Sequence, residues 1–138
     1  MKDPQYLRNE HKALLVMGEK VLKNLDIHNP SKKECARIFI MGTSLCKTGL
    51  LHVVNEDALF YKVLHREAEG EIREAVVQLW EKSGDLDPVM EAFKKRWTER
   101  GVRDDFAGYK ADVSALIQRL QQRIHDEEAV FVKLDEKG

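Results

Sequence analysis

The segment 31–66, SKKECARIFIMGTSLCKTGLLHVVNEDALFYKVLHR, decides the fold. It opens on Ser31-Lys32-Lys33-Glu34, a capping box: the serine hydroxyl accepts from the backbone N–H of residue 34, and the glutamate reaches back to the N–H of Ser31. Ile38, Met41, Leu45, Thr48, His52, Glu56, Leu59 and Val63 then recur at alternating spacings of three and four, the period of one helical stripe. A helix is expected from the capping box to about Arg66, fading before Gly70. Gly42 and Gly49 inside it are expected weak points, since an interior glycine costs a helix roughly 1 kcal/mol relative to alanine. The two-residue alternation of a half-buried strand is absent here and elsewhere in the chain.

Upstream, Asp3-Pro4 reads as a helix start, with Asp3 accepting orphan backbone N–H groups and Pro4 needing none. This helix is expected to run to about Ile27 and to stop at Asn29-Pro30, because the residue before proline avoids helical geometry. Its stripe is Leu7, His11, Leu14, Gly18, Val21 and Leu25. Downstream, Glu71 to Lys82 carries Ile72, Val76 and Leu79 and reads as a shorter helix ended by Ser83-Gly84. Asp87-Pro88 repeats the start signal, for a helix through Phe93 and Trp97 that stops near Gly101. Asp104 or Asp105 then caps a last helix to about Leu134, whose stripe is Phe106, Tyr109, Val113, Leu116, Leu120, Arg123 or Ile124, Glu127, Phe131 and Leu134. Four main helices and one shorter connecting helix, joined by short loops, predict an all-α antiparallel four-helix bundle, a single domain over 1–138.

Composition narrows the function. The 138 residues hold 43% apolar side chains, enough for a core, and 34% charged ones. Lys plus Arg number 23 against 24 Asp plus Glu, without the basic excess of a nucleic-acid binder. Cys35 and Cys46 on one helix lie about 16 Å apart along its axis, too far for a disulfide. A cytoplasmic, reducing location is therefore expected. No run of 18 apolar residues and no apolar segment after a charged N-terminus is present, so neither a membrane span nor a signal peptide is expected.

The polar residues on the apolar stripes carry the chemistry: His11, His52, Glu56, Glu127 and, at the boundary of its stripe, Arg123. A buried carboxylate is costly unless paired, hydrogen-bonded or bound to a metal. Inward histidines and glutamates from facing helices are how bundles build metal sites, and His52 and Glu56, four residues apart, share one face. Imidazole with carboxylate suits iron, zinc or manganese. Against this, a single histidine on such a stripe is more often a hydrogen-bonded core residue, and Asp126-Glu127-Glu128 can equally be a charged surface face. His28, His65 and His125 fall off the stripes and are expected at the surface. Trp80, Trp97, Phe93 and Tyr109 are expected core aromatics, and Cys35 and Cys46 buried apolar residues.

Three segments carry a family resemblance: Leu7-Arg8-Asn9-Glu10-His11, then His52 through Glu56-Asp57-Ala58-Leu59-Phe60-Tyr61, then Arg123-Ile124-His125-Asp126-Glu127-Glu128-Ala129-Val130-Phe131. In these the chain resembles the hemerythrin-like, or HHE cation-binding, domain family over essentially its whole length. The resemblance implies a four-helix bundle around a non-haem iron pair that binds dioxygen, senses oxygen or redox state, or stores iron. Residue by residue it implies ligation by His11, His52 and Glu56, and by Glu127 or Glu128 from the last helix. Two departures stand out. The family's last-helix histidine falls on Arg123, and the helix from Val89 to Arg100 has no histidine. A guanidinium keeps its proton and repels a metal ion, but it can fork onto Glu56 or Glu127 in place of a cation.

Two functions are therefore expected from the sequence. One is metal binding or sensing at an incomplete di-iron site, with iron as cofactor, as one ion or a partial pair. The other is a metal-free structural or interaction bundle in which His11, His52, Glu56, Arg123 and Glu127 form a buried network. An enzyme is not expected, since no nucleophile–base pair or phosphate loop is visible. A metal ion is the expected partner, nucleic acid and membrane are not, and a protein partner or second copy is left open.

Overall fold

The structure, a computed structural model, describes residues 5–58 and 69–137. They form six helices: α1 Gln5–Leu25, α2 Lys32–Glu56, α3 Gly70–Ser83, α4 Leu86–Arg96, α5 Glu99–Asp104 and α6 Phe106–Lys137. No strand occurs among the described residues. The expected cap at Asp3-Pro4 and the positions Leu59, Phe60, Tyr61, Val63, His65 and Arg66 lie outside the described residues, as does the side chain of Leu134.

The capping box forms as its chemistry dictates: Glu34 N–H donates to Ser31 Oγ at 3.1 Å and Ser31 N–H to Glu34 Oε1 at 2.9 Å. Asp105 is the cap of α6, its Oδ1 accepting from Gly108 N–H at 3.0 Å. α1 ends at Leu25, two residues short of Ile27, and Asn29 before Pro30 takes a left-handed φ of 52°.

The third rod of the bundle is broken rather than continuous. α3 ends at Ser83, Gly84 and Asp85 turn, and α4 starts at Leu86, so Asp87 and Pro88 sit inside its first turn instead of at its start. Proline is tolerated there because first-turn N–H groups have no intrahelical partner. α4 also stops earlier than expected. Trp97 is its extended C-cap, its indole N–H donating to Asp112 Oδ2 at 2.9 Å, and the Thr98 hydroxyl accepts from Gly101 N–H to start α5. Gly101 is thus inside a short helix, not a stop.

Ion pairs fix the direction of α3 and α4 against α6. Glu71 meets Lys133, Lys82 meets Asp126, Asp85 meets Arg119 and Arg96 meets Asp112. Rising numbers pair with falling ones, so the broken rod runs antiparallel to α6. α1 likewise runs antiparallel to α6, with Arg8 at Asp135 and Gly18 against Ile117. The result is an up-down-up-down bundle whose rods are α1, α2, α3–α4 and α6, with α5 as a connector packed on α2 and α6.

Gly42 and Gly49 are contact points, not weak points. A Cβ on Gly42 would overlap Tyr109 Oη, and one on Gly49 would lie 2.5 Å from Met90 Cε. Their missing side chains let α6 and α4 approach α2 closely. Met41 and Thr48, expected on the buried stripe, are displaced to half-buried and exposed positions for that reason. Trp80 departs from expectation too: it is 44% exposed, since Ile72, Val76, Leu79 and Ser83 define the buried face of α3 and Trp80 lies about 100° beyond Leu79. Trp97 and Tyr109 are buried and Phe93 packs against them. By length and composition alone, α2 is apolar enough to cross a membrane, but its buried face is the bundle core.

Candidate metal centre

The buried apolar residues fall into two clusters. One holds Leu14, Leu45, Tyr109, Ile117 and Ile124 with their neighbours; the other holds Leu7, Ile72, Val76, Leu79, Val130 and Phe131. Between them lies one layer of charge. On α1 it is the single residue His11, between Leu7 and Leu14. On α2 it is His52 and Glu56, and on α6 Arg123 and Glu127. All five are 2% exposed or less.

The helices aim these side chains at one point. His11 Nε2 lies 3.2 Å from Glu56 Oε2 and 3.1 Å from Glu127 Oε1. His52 Nε2 lies 3.1 Å from Glu56 Oε1. The two imidazoles meet edge to face, with centroids 4.8 Å apart, and Phe131 stacks on the far side of His11. The outer nitrogens are also engaged: His11 Nδ1 is 3.2 Å from Glu128 Oε1, and His52 Nδ1 is 2.7 Å from Glu10 Oε1.

Arg123 closes the other side. Its Nη2 is 3.2 Å from Glu56 Oε1 and 3.5 Å from Asp57 Oδ1, and its Nε donates to Glu127 Oε2 at 3.3 Å. Nη1 donates to the carbonyl of Ser83 at 3.1 Å, at the break between α3 and α4. Each buried carboxylate therefore offers one oxygen to His11 and the other to Arg123.

The protonation states follow. Burial alone would lower the His11 pKa, but hydrogen bonds to Glu127 and Glu56 outweigh it and raise it to about 10. His52 is raised in the same way, with Glu56 and Glu10 overcoming burial. Burial would push Glu56 up, but His11 and His52 hold it well below the usual carboxylate range. Glu127 goes the other way, pushed up to about 7 by burial and by the charge of Glu56.

One cation fits the histidine side. Two donors about 2.1 Å from a shared ion stand about 3.0 Å apart at a right angle and about 3.4 Å at the tetrahedral angle. The separations among His11 Nε2, His52 Nε2 and the carboxylate oxygens fall in that range where they are adjacent, and one donor atom from each of the four residues lies within 4.8 Å of the rest. Two imidazoles and two carboxylates are a donor set for iron, zinc or manganese. The guanidinium of Arg123 stands beside the other side of the two carboxylates, at Glu56 Oε1 and Glu127 Oε2.

Of the residues singled out from sequence, the structure brings together His11, His52, Glu56, Glu127 and Arg123. Glu128 is 38% exposed at its side chain and stands outside the four-residue cluster, bonded instead to the outer nitrogen of His11. His28 and His125 are exposed. Sequence reasoning missed Glu10. It lies one residue from His11 and about 100° off the stripe, and nothing in a single sequence pairs it with His52, 42 residues away.

A comparison with protein-family models matches the hemerythrin HHE cation-binding domain over residues 3–134. No curated protein and no solved structure gives a match. The matched span is nearly the whole chain, and it contains every residue of the polar layer; the chain belongs to the hemerythrin HHE cation-binding domain family.

Proposed function

We propose that this domain binds one transition-metal ion, iron by preference, between His11, His52, Glu56 and Glu127, and serves as a metal-dependent sensor or store. One observation carries the proposal: four ligand side chains from three helices converge on one buried point at ligand-to-ligand spacing. Iron there would supply a one-electron redox change. The chain's own part is to hold the donors, exclude water with Phe131 and the flanking apolar clusters, and supply a fixed positive charge from Arg123. The proposal includes no enzymatic turnover.

A second reading has its own observation. His11 and Arg123 already set positive charge against both buried carboxylates, so the layer is neutralised by protein groups alone. In that reading it fixes helix register, as buried polar groups do in some bundles.

Metal analysis by mass spectrometry separates the two. On protein made in iron-supplemented cells and purified without chelators, we expect about one ion per chain, lost in His52→Ala, with Arg123→His gaining capacity or affinity. Folded wild-type protein that carries no iron, zinc or manganese and takes up none in titration overturns metal binding and leaves the register role.

A further inference from the structure

The outer faces of the two histidines show a pattern that the buried cluster does not require. Glu10 of α1 bonds Nδ1 of His52 on α2, and Glu128 of α6 bonds Nδ1 of His11 on α1. Each glutamate sits one residue from a member of the cluster on its own helix, Glu10 beside His11 and Glu128 beside Glu127. Each serves a histidine on a different helix. The one-residue step explains this: it turns the side chain about 100° off the buried stripe, into the groove shared with the neighbouring rod.

We infer that Glu10 and Glu128 are positioning residues that hold His52 and His11 with Nε2 turned toward the cluster and Nδ1 turned out. This rests on the metal reading above. An imidazole has two nearly equivalent flips about its second side-chain torsion, and only one of them aims Nε2 inward. An acceptor on the outer side selects that flip, because turning away leaves a buried N–H without a partner. It also fixes the proton on Nδ1, leaving Nε2 as the donor for a metal, and makes the ring a stronger ligand.

The exposure gradient suits the role. The glutamates are 34% and 38% exposed at their side chains while the histidines are 2% and 1%, so the carboxylates remain hydrated where the rings cannot be. Glu128 is itself braced. Arg8 Nε stands 3.7 Å from its Oε2, leaving Oε1 for His11, and the same guanidinium is anchored to Asp135 at 2.6 Å and lies over the Phe131 ring.

The test compares Glu10→Leu and Glu128→Leu with Glu10→Gln and Glu128→Gln, each checked for helical content by circular dichroism. Zinc affinity is read by competition with a chromophoric chelator, and the histidine ring nitrogens by NMR. We expect each leucine variant to raise the zinc Kd by about 10–100-fold, and each glutamine variant by much less, since its amide oxygen accepts the same proton. The hydrogen-bonded Nδ1 signal should be lost for His52 alone in Glu10→Leu and for His11 alone in Glu128→Leu. Leucine variants that keep the wild-type zinc affinity and ring signals overturn this inference while wild-type metal binding stands. Wild-type protein that binds no zinc, iron or manganese overturns the metal reading and this inference with it.

Discussion

His11 and Leu14 occupy successive turns of one stripe of α1, both 1% exposed, and they are held by different forces. Leu14 belongs to the larger apolar cluster, where burial is favourable whatever the direction of contact. His11 sits where burial is costly, and its ring is stable only because three glutamates surround it. The apolar layers lose stability in proportion to what is removed. The charged layer is all-or-none, since His11 and Arg123 each neutralise both Glu56 and Glu127.

The sharpest way to break this comparison is to remove Arg123. Arg123→Met leaves Glu56 and Glu127 facing each other with His11 as the main remaining cation, and should cost about 3–5 kcal/mol. Leu45→Ala, in the larger apolar layer, should cost about 2–5 kcal/mol. The second change tells them apart. Adding Glu127→Gln should recover part of the Arg123→Met loss, because it removes the uncompensated charge, and should recover none of the Leu45→Ala loss. Urea unfolding in the presence of a chelator reads all four. Simple additivity in both backgrounds would mean that the layer is not a unit.

The next effect is on pH. His11 keeps its proton up to about pH 10 when folded, against about 6.5 for an ordinary imidazole, so its stabilisation is complete below pH 6.5 and is lost as pH rises through 10. Glu127, raised from 4.5 to about 7, also binds its proton more tightly when folded and adds a loss on going up from pH 4.5 to 7. Glu56 is depressed, so its contribution is present above 4.5 and is lost in stronger acid. Metal-free protein should therefore be most stable in mild acid and lose on the order of 1–3 kcal/mol by about pH 9. His11→Gln should flatten this alkaline slope, and Leu14→Ala should lower the whole curve without changing its shape. A slope unchanged in His11→Gln would remove His11 as its source.

The two kinds of layer were not equally legible. On α1 the stripe read from spacing is the set of buried residues, because this helix shows its neighbours one narrow face. On α2 the same procedure goes astray, since α1, α4, α5 and α6 all pack against it and widen the buried face to Gly42, Cys46, Gly49 and Val53. Gly42 and Gly49 cost helix propensity there, but their small size is what admits Tyr109 and Met90. The break after Ser83 is legible from Ser83-Gly84 and Asp87-Pro88, but the separate α5 is not, because its cap is local: Thr98 accepts from Gly101 N–H, a signal present in the sequence but masked by the run of charge around it. For the site, periodicity alone places His11, His52, Glu56 and Glu127 inward and leaves Arg123 or Ile124 as alternatives, both of which are buried. It could not show that Arg123 would bridge both carboxylates, that Glu128 would serve an outer nitrogen, or that Glu10 belonged there at all. Those depend on which helices meet and at what register.

A cap gives a smaller effect that tests local chemistry apart from either layer. Ser31→Ala should cost about 1 kcal/mol, since it leaves the Glu34 N–H without its acceptor and breaks the reciprocal bond. The loss should be the same with and without zinc.

The finest test lies at a polar atom within the larger apolar layer, the hydroxyl of Tyr109. Tyr109 is 1% exposed, its hydroxyl has no hydrogen-bond partner among the described residues, and burial raises its pKa. Trp97 meets its ring edge on, Phe93 lies tilted against it, and Gly42 faces the hydroxyl. Tyr109→Phe removes an unsatisfied group without changing the ring, and should be neutral to stabilising by about 1 kcal/mol. Gly42→Ala is opposed by two terms. Alanine favours the helix by about 1 kcal/mol, while a methyl against Tyr109 Oη costs about 1–3 kcal/mol in overpacking. In the wild-type background the clash should dominate and the variant should be less stable. In the Tyr109→Phe background the clash is relieved, and Gly42→Ala should become neutral or stabilising. A double-mutant cycle by thermal unfolding reads this change of sign. If Gly42→Ala costs the same in both backgrounds, the hydroxyl is not what keeps glycine at that position, and close approach of the α2 and α6 backbones takes its place as the cause.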